Sequence, residues 1–141
     1  MCIRRMSPAG RDGIVRKEIA RMEIERHQLV DGTNFKPVIS RVVAHGDRVY
    51  VCGFTGDPVG DVTVQTRQAL GRIDQLLAQP GTDKSKLLTA QVWLSDMALF
   101  RPHDLAGNEW VDPANPPARA CVEAELTGPG LLVEILVTAA R

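Results

Sequence analysis

Two ionisable side chains stand out by where they fall. Arg119 lies in the stretch Pro117-Ala118-Arg119-Ala120-Cys121-Val122-Glu123, and Glu134 lies inside Leu131-Leu132-Val133-Glu134-Ile135-Leu136-Val137. Both segments read as β-strands by their apolar, β-branched alternation. A strand rich in Leu, Val and Ile has no cheap place for a charge, so Glu134 must be paired, protonated or at a cavity. Arg119 offers a planar fork that holds a carboxylate at two points. Together they point to a small site for an anionic substrate, with a carboxylate to handle water or protons. The competing readings are a strand-end arginine in a surface ion pair and a buried structural carboxylate pair.

The other reactive residue types are less informative. Cys2, Cys52 and Cys121 are odd in number and widely spaced, with no C-x-x-C and no Cys/His cluster. Neither a disulfide framework nor a metal site is indicated, and a reducing cytoplasm is the simplest setting. Cys121 alternates with Arg119 and Glu123 on one strand face, and its sulfur reads as a small core group. No histidine is placed to activate it. His45 in a hairpin turn and His103 at a helix start read as solvated surface residues, and Trp93 and Trp110 as core. Gly53-x-x-Gly56 is too short to be a phosphate loop.

A chain of 141 residues suits one domain, able to bury roughly 70% of its unfolded surface. Seventeen basic and seventeen acidic residues cancel, which argues against a nucleic-acid or membrane surface. Residues 1–21 carry six basic and two acidic side chains, lack clean periodicity and read as a flexible extension. They have no apolar stretch of signal-peptide type, and Met22 is an alternative start for the domain at residues 22–141.

The elements that must position the pair follow in order. Residues 22–29 read as a strand, and Asp31-Gly32-Thr33-Asn34 as a turn. Ser40–Ala44 and Arg48–Cys52 form a hairpin about His45-Gly46-Asp47. Gly53–Gly60 reads as a loop. Asp61 caps a helix whose stripe is Val62, Ala69, Leu70, Ile73, Leu76 and Leu77, ended by Pro80-Gly81. Leu87–Leu94 is a strand. Asp96 and Pro102 open a second helix, running to about Val111, with Phe100, Leu105 and Trp110 turned inward. Two strands joined at Thr127-Gly128-Pro129-Gly130 close the chain. The expectation is an α+β, two-layer sandwich of a mixed six-stranded sheet with two helices on one face. The last strand is apolar on both sides, so the uncovered sheet face calls for other subunits.

Four segments carry a resemblance: Val49-Tyr50-Val51-Cys52-Gly53, Gln65-Thr66-Arg67-Gln68-Ala69-Leu70, Pro116 to Glu123, and Val133-Glu134-Ile135. With Trp93-Leu94-Ser95-Asp96-Met97 and Phe100, the chain from about Met22 to Arg141 resembles the Rid/YjgF family, the reactive intermediate deaminases. The resemblance implies a chorismate-mutase-like homotrimer with clefts between subunits and no metal or organic cofactor. It implies hydrolysis of 2-imino acids and their enamine tautomers, of the 2-iminobutanoate and 2-iminopropanoate type, to 2-keto acids and ammonia. Arg119 would hold the substrate carboxylate, and Glu134 with main-chain groups near Cys121 would position water. Ile39 stands where the family has a pocket tyrosine, beside Ser40; Cys52-Gly53-Phe54 replaces Ser-Gly-Gln; and Asp104 falls where an asparagine is common early in the second helix. Asp104 also reads as support for that helix's N-terminal end.

The expected function is therefore imine hydrolysis on a small imino or keto acid, with Ile39 and Phe54 favouring apolar side chains. The alternatives are a non-catalytic binder of small carboxylates and a chaperone-like trimer. A zero net charge without an aromatic-basic stripe argues against tight RNA binding. If the last two strands formed a simple hairpin, Glu134 would face Glu123 and lie about 13 Å along the strands from Arg119. That spacing is long for one small substrate and suggests a cleft completed by a neighbouring subunit.

Overall fold

The structure, a computed structural model, describes residues 8–141. Cys2 and the first third of the expected extension lie outside them. The chain runs α1 (Pro8–Met22), β1 (Glu25–Asp31), β2 (Val38–His45), β3 (Arg48–Thr55), α2 (Val62–Ala78), β4 (Leu87–Leu94), α3 (Phe100–Trp110), β5 (Ala118–Glu123) and β6 (Val133–Ala140). The local signals act as their chemistry dictates. Asp61 accepts a hydrogen bond from the Val64 N–H at 3.0 Å and starts α2. Gly81, at φ +80°, ends it, with the Gly81 N–H donating to Ala78 and the Thr82 N–H to Leu77. Asp96 caps a short 3-10 turn at Met97–Leu99 that leads into α3, with Pro102 in the helix's first turn. Gly46, at φ +59°, turns the β2–β3 hairpin.

The six strands form one mixed sheet in the order β1-β2-β3-β6-β4-β5. The expected hairpin between β5 and β6 is not there. β4 lies between them, parallel to β5 and antiparallel to β6. The Gly-Pro-Gly turn does reverse the chain, but residues 124–132 carry it across the end of β4. There the Ala124 N–H donates to the Leu94 carbonyl, and the Ser95 N–H to the Leu132 carbonyl. This exchange suits the sequences. The alternating apolar strand β6 gains a partner on each side, while β5, mostly exposed and preceded by two prolines, takes the edge.

Along β6, Val133, Ile135, Val137 and Ala139 are buried and alternate with half-buried Glu134, Leu136, Thr138 and Ala140. The buried row packs with Val42, Val49, Val51, Val92 and Leu94 under the α2 stripe. Among the described residues no layer covers the opposite sheet face: Tyr50 is 45% and Val122 46% exposed, and Trp93 and Leu136 are only half-buried. The expected two helices on one face are α2 and α3, which pack on each other. A third, α1, was not expected. Its second half, Arg16 to Met22, is rich in good helix formers despite Gly10 and Gly13 in the first, but residues 11–20 are all exposed. In α3 the inward face differs from the expected one. His103 and Ala106 are buried, whereas Leu105 is 60% exposed. Trp93 and Trp110 are likewise not fully core: both are half-buried.

Candidate functional site

At the β5 edge, Arg119 pairs in register with Ala90 of β4, and Cys121 with Val92, so both side chains point to the helix-covered face. The Arg119 guanidinium meets α3. Its Nη1 lies 2.7 Å from Asp104 Oδ1, and its Cζ sits 5.8 Å from the centre of the Phe100 ring. Both partners of the ion pair keep about a third of their side-chain surface in solvent, so the pair adds about 0–1 kcal/mol. It orients the arginine more than it stabilises the fold. Asn108 Nδ2 donates to Asp104 Oδ2 over a long 3.4 Å.

Beneath the arginine, between α3 and the sheet, lies a cavity of about 200 Å³. Its walls include Leu70, Val92, Trp110, Val111 and Ile135, with Arg119, His103 and Asn108 as polar members. His103, expected at the surface, is 2% exposed, and its Nδ1 lies 3.0 Å from Thr66 Oγ1 on α2. Burial, and secondarily the Arg119 charge, pushes its pKa below the ordinary 6.5, against the opposing pull of Asp104, so the ring is neutral at pH 7. Cys121 is also pushed up, chiefly by burial, despite the nearby guanidinium. A thiol held protonated fits the reading of its sulfur as non-nucleophilic.

Glu134 belongs to other surroundings. It pairs in register with Thr55 of β3 and Trp93 of β4, on the sheet face away from the helices. A β-bulge between Val51 and Phe54 brings the Gly53 backbone under its carboxylate. A Cβ on residue 53 would stand 2.1 Å from Glu134 Oε1, so only glycine leaves the carboxylate room. The Gly53–Gly60 segment, expected as a loop, is thus strand as far as Thr55. Cys52 is pushed up first by burial and then by the Glu134 charge, with Arg41 opposing both. Arg41 lies over the Phe54 ring at 5.1 Å, and that ring also packs on the core. Ile39 and Ser40, in the first half of β2, lie at this end of the sheet; Ile39 is 38% exposed and Ser40 half-buried. The bulge is what the sequence concealed, because Cys-Gly-Phe-Thr reads equally as the start of a loop.

The candidate residues thus form two groups. Arg119, Cys121 and Asp104 meet at the β5–α3 edge. Glu134 and Gly53 meet with Cys52 nearby, while Phe54, Ser40 and Ile39 lie at the same end of β3 and β2. Arg119 is level with Ala90 and, across β4, with Val137. Glu134 is therefore about 10 Å further along β6 and about 10 Å across the sheet, with its side chain on the other face. The groups do not meet within one chain. Two positioning residues were missed. His103 was legible only as part of the stripe His103, Ala106 and Trp110. Gln65, fully buried, donates to the Gly130 carbonyl at 2.9 Å and accepts from the Leu132 N–H at 2.9 Å, fixing the chain just ahead of Glu134.

Comparison with known proteins bears on the family and the fold. The family model described as Endoribonuclease L-PSP matches residues 36–141. A RutC family protein of Haemophilus influenzae is 41% identical over 107 residues, covering 72% of this chain and 89% of the relative. The RutC family protein YoaB of Escherichia coli is 35% identical over 101 residues, with 72% and 89% covered. The crystal structure of a YjgF protein family member from Neisseria meningitidis superposes with a TM-score of 0.77 at 33% identity, covering 86% of this chain and 97% of that one. Its fold has the mixed sheet and helices described above, and the matched region contains both groups of candidate residues. By sequence and by architecture, the chain belongs to the YjgF/Rid family.

Proposed function

We propose that the chain hydrolyses small 2-imino acids and their enamine tautomers to 2-keto acids and ammonia, in a cleft that two copies of the chain build together. The observation that carries this reading is the placement of the pair. Arg119 is half-open beside a metabolite-sized apolar cavity, while Glu134 sits on the uncovered sheet face, which a second copy would have to cover. An arginine that cannot reach its own Glu134 reaches one supplied by a neighbour. Family membership supports deaminase chemistry in general; the names of relatives also include an endoribonuclease label, which a net charge of zero does not favour.

In this cleft Arg119 holds the ligand carboxylate and fixes C2 for attack. Glu134 takes a proton from water as the oxygen adds to C2, giving a tetrahedral amino alcohol. Proton delivery to nitrogen then breaks the C–N bond, so that imine and water become keto acid and ammonia. Holding the reactants in place is the main contribution, worth several kcal/mol of barrier, on the order of 10² to 10⁴ in rate from the proton transfers added to it. A test is to generate imines in the cuvette with an amino-acid oxidase and follow their loss. Faster loss with the chain present, abolished in Arg119→Ala, supports the reading. Binding of keto acids with no faster loss favours a non-catalytic carboxylate binder, the second reading, which the Asp104 contact to Arg119 keeps in play.

A further inference from the structure

We propose that Asp104 sets the ligand class of the Arg119 cavity: it selects a small acid with an N–H donor beside its carboxylate, a protonated imine or an α-amino acid, over the matching 2-oxo acid. The inference rests on the reading above only in that Arg119 holds a carboxylate.

The geometry makes the anion anchor a neutral unit. Asp104 Oδ1 lies 2.7 Å from Arg119 Nη1, and among the described residues no other carboxylate pairs with that guanidinium. A ligand with only a carboxylate meets attraction from Arg119 and repulsion from Asp104 together. A ligand that also brings N–H groups matches both charges. Asp104 has acceptor capacity to offer. An ionised carboxylate has about four lone-pair sites, and Asp104 is given one close cation and the distant amide of Asn108 at 3.4 Å. The neighbouring His103 ring is buried and turned to Thr66, so it brings no positive charge to offset Asp104. Asn108 also lines the space, and most of the remaining wall, including Leu70, Val92, Trp110 and Ile135, is apolar and suits the ligand's side chain. At about 200 Å³ the space fits a metabolite, below the usual range for drug-sized ligands.

The arrangement also separates substrate from product. Hydrolysis exchanges the N–H group for a carbonyl oxygen, an acceptor. Set against Asp104, that acceptor has no donor to meet, and a site built around a donor rejects the analogue lacking it. The keto acid would leave while ammonia departs separately.

The test is a calorimetric titration of the full chain, wild type and Asp104→Asn, with 2-aminobutanoate, a stable stand-in for the protonated imine, and with 2-oxobutanoate. The wild type should bind the amino acid about tenfold more tightly than the oxo acid. In Asp104→Asn the oxo acid should gain about tenfold and the amino acid should weaken, with an unchanged thermal midpoint because the pair is half-open to water. A preference ratio that moves by less than about twofold, a wild type that prefers the oxo acid, or no binding of either ligand overturns the inference. Imine turnover, measured alongside, reports on the hydrolase reading separately. Turnover with an unmoved ratio removes Asp104 alone, and a moved ratio without turnover leaves a selective binding site that is not a hydrolase.

Discussion

Arg119 and Glu134 are both charged residues on strands, yet the sheet treats them oppositely. Arg119 sits on the edge strand, where one side is free of strand pairing and a helix stands off far enough to leave a cavity. Its partners are side chains of α3, Asp104 and Phe100. Glu134 sits on a strand paired on both sides, and its carboxylate lies over the Gly53 backbone. The edge provides access and the centre provides fixed position. A small sheet cannot supply both at one point, and here it supplies them two strands apart on opposite faces. The uncovered face with Tyr50, Trp93 and Val122 is the surface through which a second copy would bring the two together.

The largest effect is expected at the edge. Arg119→Ala should lower kcat/KM for an imino acid by 100-fold or more, roughly the cost of an uncompensated charge-assisted contact, with the fold intact. Arg119→Lys should restore only part, because a point charge cannot reproduce the fork. Steady-state rates with circular dichroism check both, and turnover within about twofold of wild type in Arg119→Ala would remove the arginine from the chemistry. At the centre, Glu134→Gln should lower kcat by about 100-fold with little change in KM. Gly53→Ala should do so more mildly, by about tenfold, since its Cβ meets the flexible end of Glu134 and displaces the carboxylate instead of breaking the strand. If Gly53→Ala kept full kcat while a crystal structure showed the carboxylate moved, Glu134 would be structural.

A smaller effect separates the helix-covered side by pH. His103 has a folded pKa below its ordinary 6.5, so the unfolded chain takes up this proton first. The stabilisation is fully present above about pH 6.5 and is lost as pH falls through the folded value. Chemical denaturation between pH 7 and 5 should show that slope in the wild type and a shallower one in His103→Gln. Equal slopes would place the titration elsewhere. The smallest effect concerns side-chain preference. An apolar cavity beside Arg119 should favour imines derived from Leu or Met over that from Ala, by about 1 kcal/mol per buried methylene at most. Comparing kcat/KM across the three decides it, and a preference for the Ala-derived imine would mean the cavity does not hold the side chain.

The sequence carried the local elements well because their signals are local. Asp61, Pro80-Gly81 and Asp96 act within a few residues of the boundaries they mark, and Leu87–Leu94 is a mostly apolar run that spans β4. What failed was of longer range. A Gly-Pro-Gly turn announces reversal but cannot say that β4 enters between the strands it joins. The inward face of α3 was misjudged because Phe100 and Leu105 are apolar, while the residue that is buried, His103, is polar and satisfied by Thr66. The N-terminal helix has propensity without an apolar stripe, so periodicity gave no sign of it. Of the candidate site, the motif pair singled out Arg119 and Glu134; the Asp104 contact and the opposite faces were not legible, since both depend on which strand borders which.

The claim that the cleft takes Arg119 from one copy and Glu134 from another is tested most directly by subunit complementation. Arg119→Ala and Glu134→Gln chains, each nearly inactive alone, are unfolded together in equal amounts and refolded. With random assembly about one cleft in four receives a native arginine from one chain and a native glutamate from the other, so about a quarter of wild-type turnover should return. Mixtures no more active than the two variants measured separately would contradict the account and place the chemistry within a single chain.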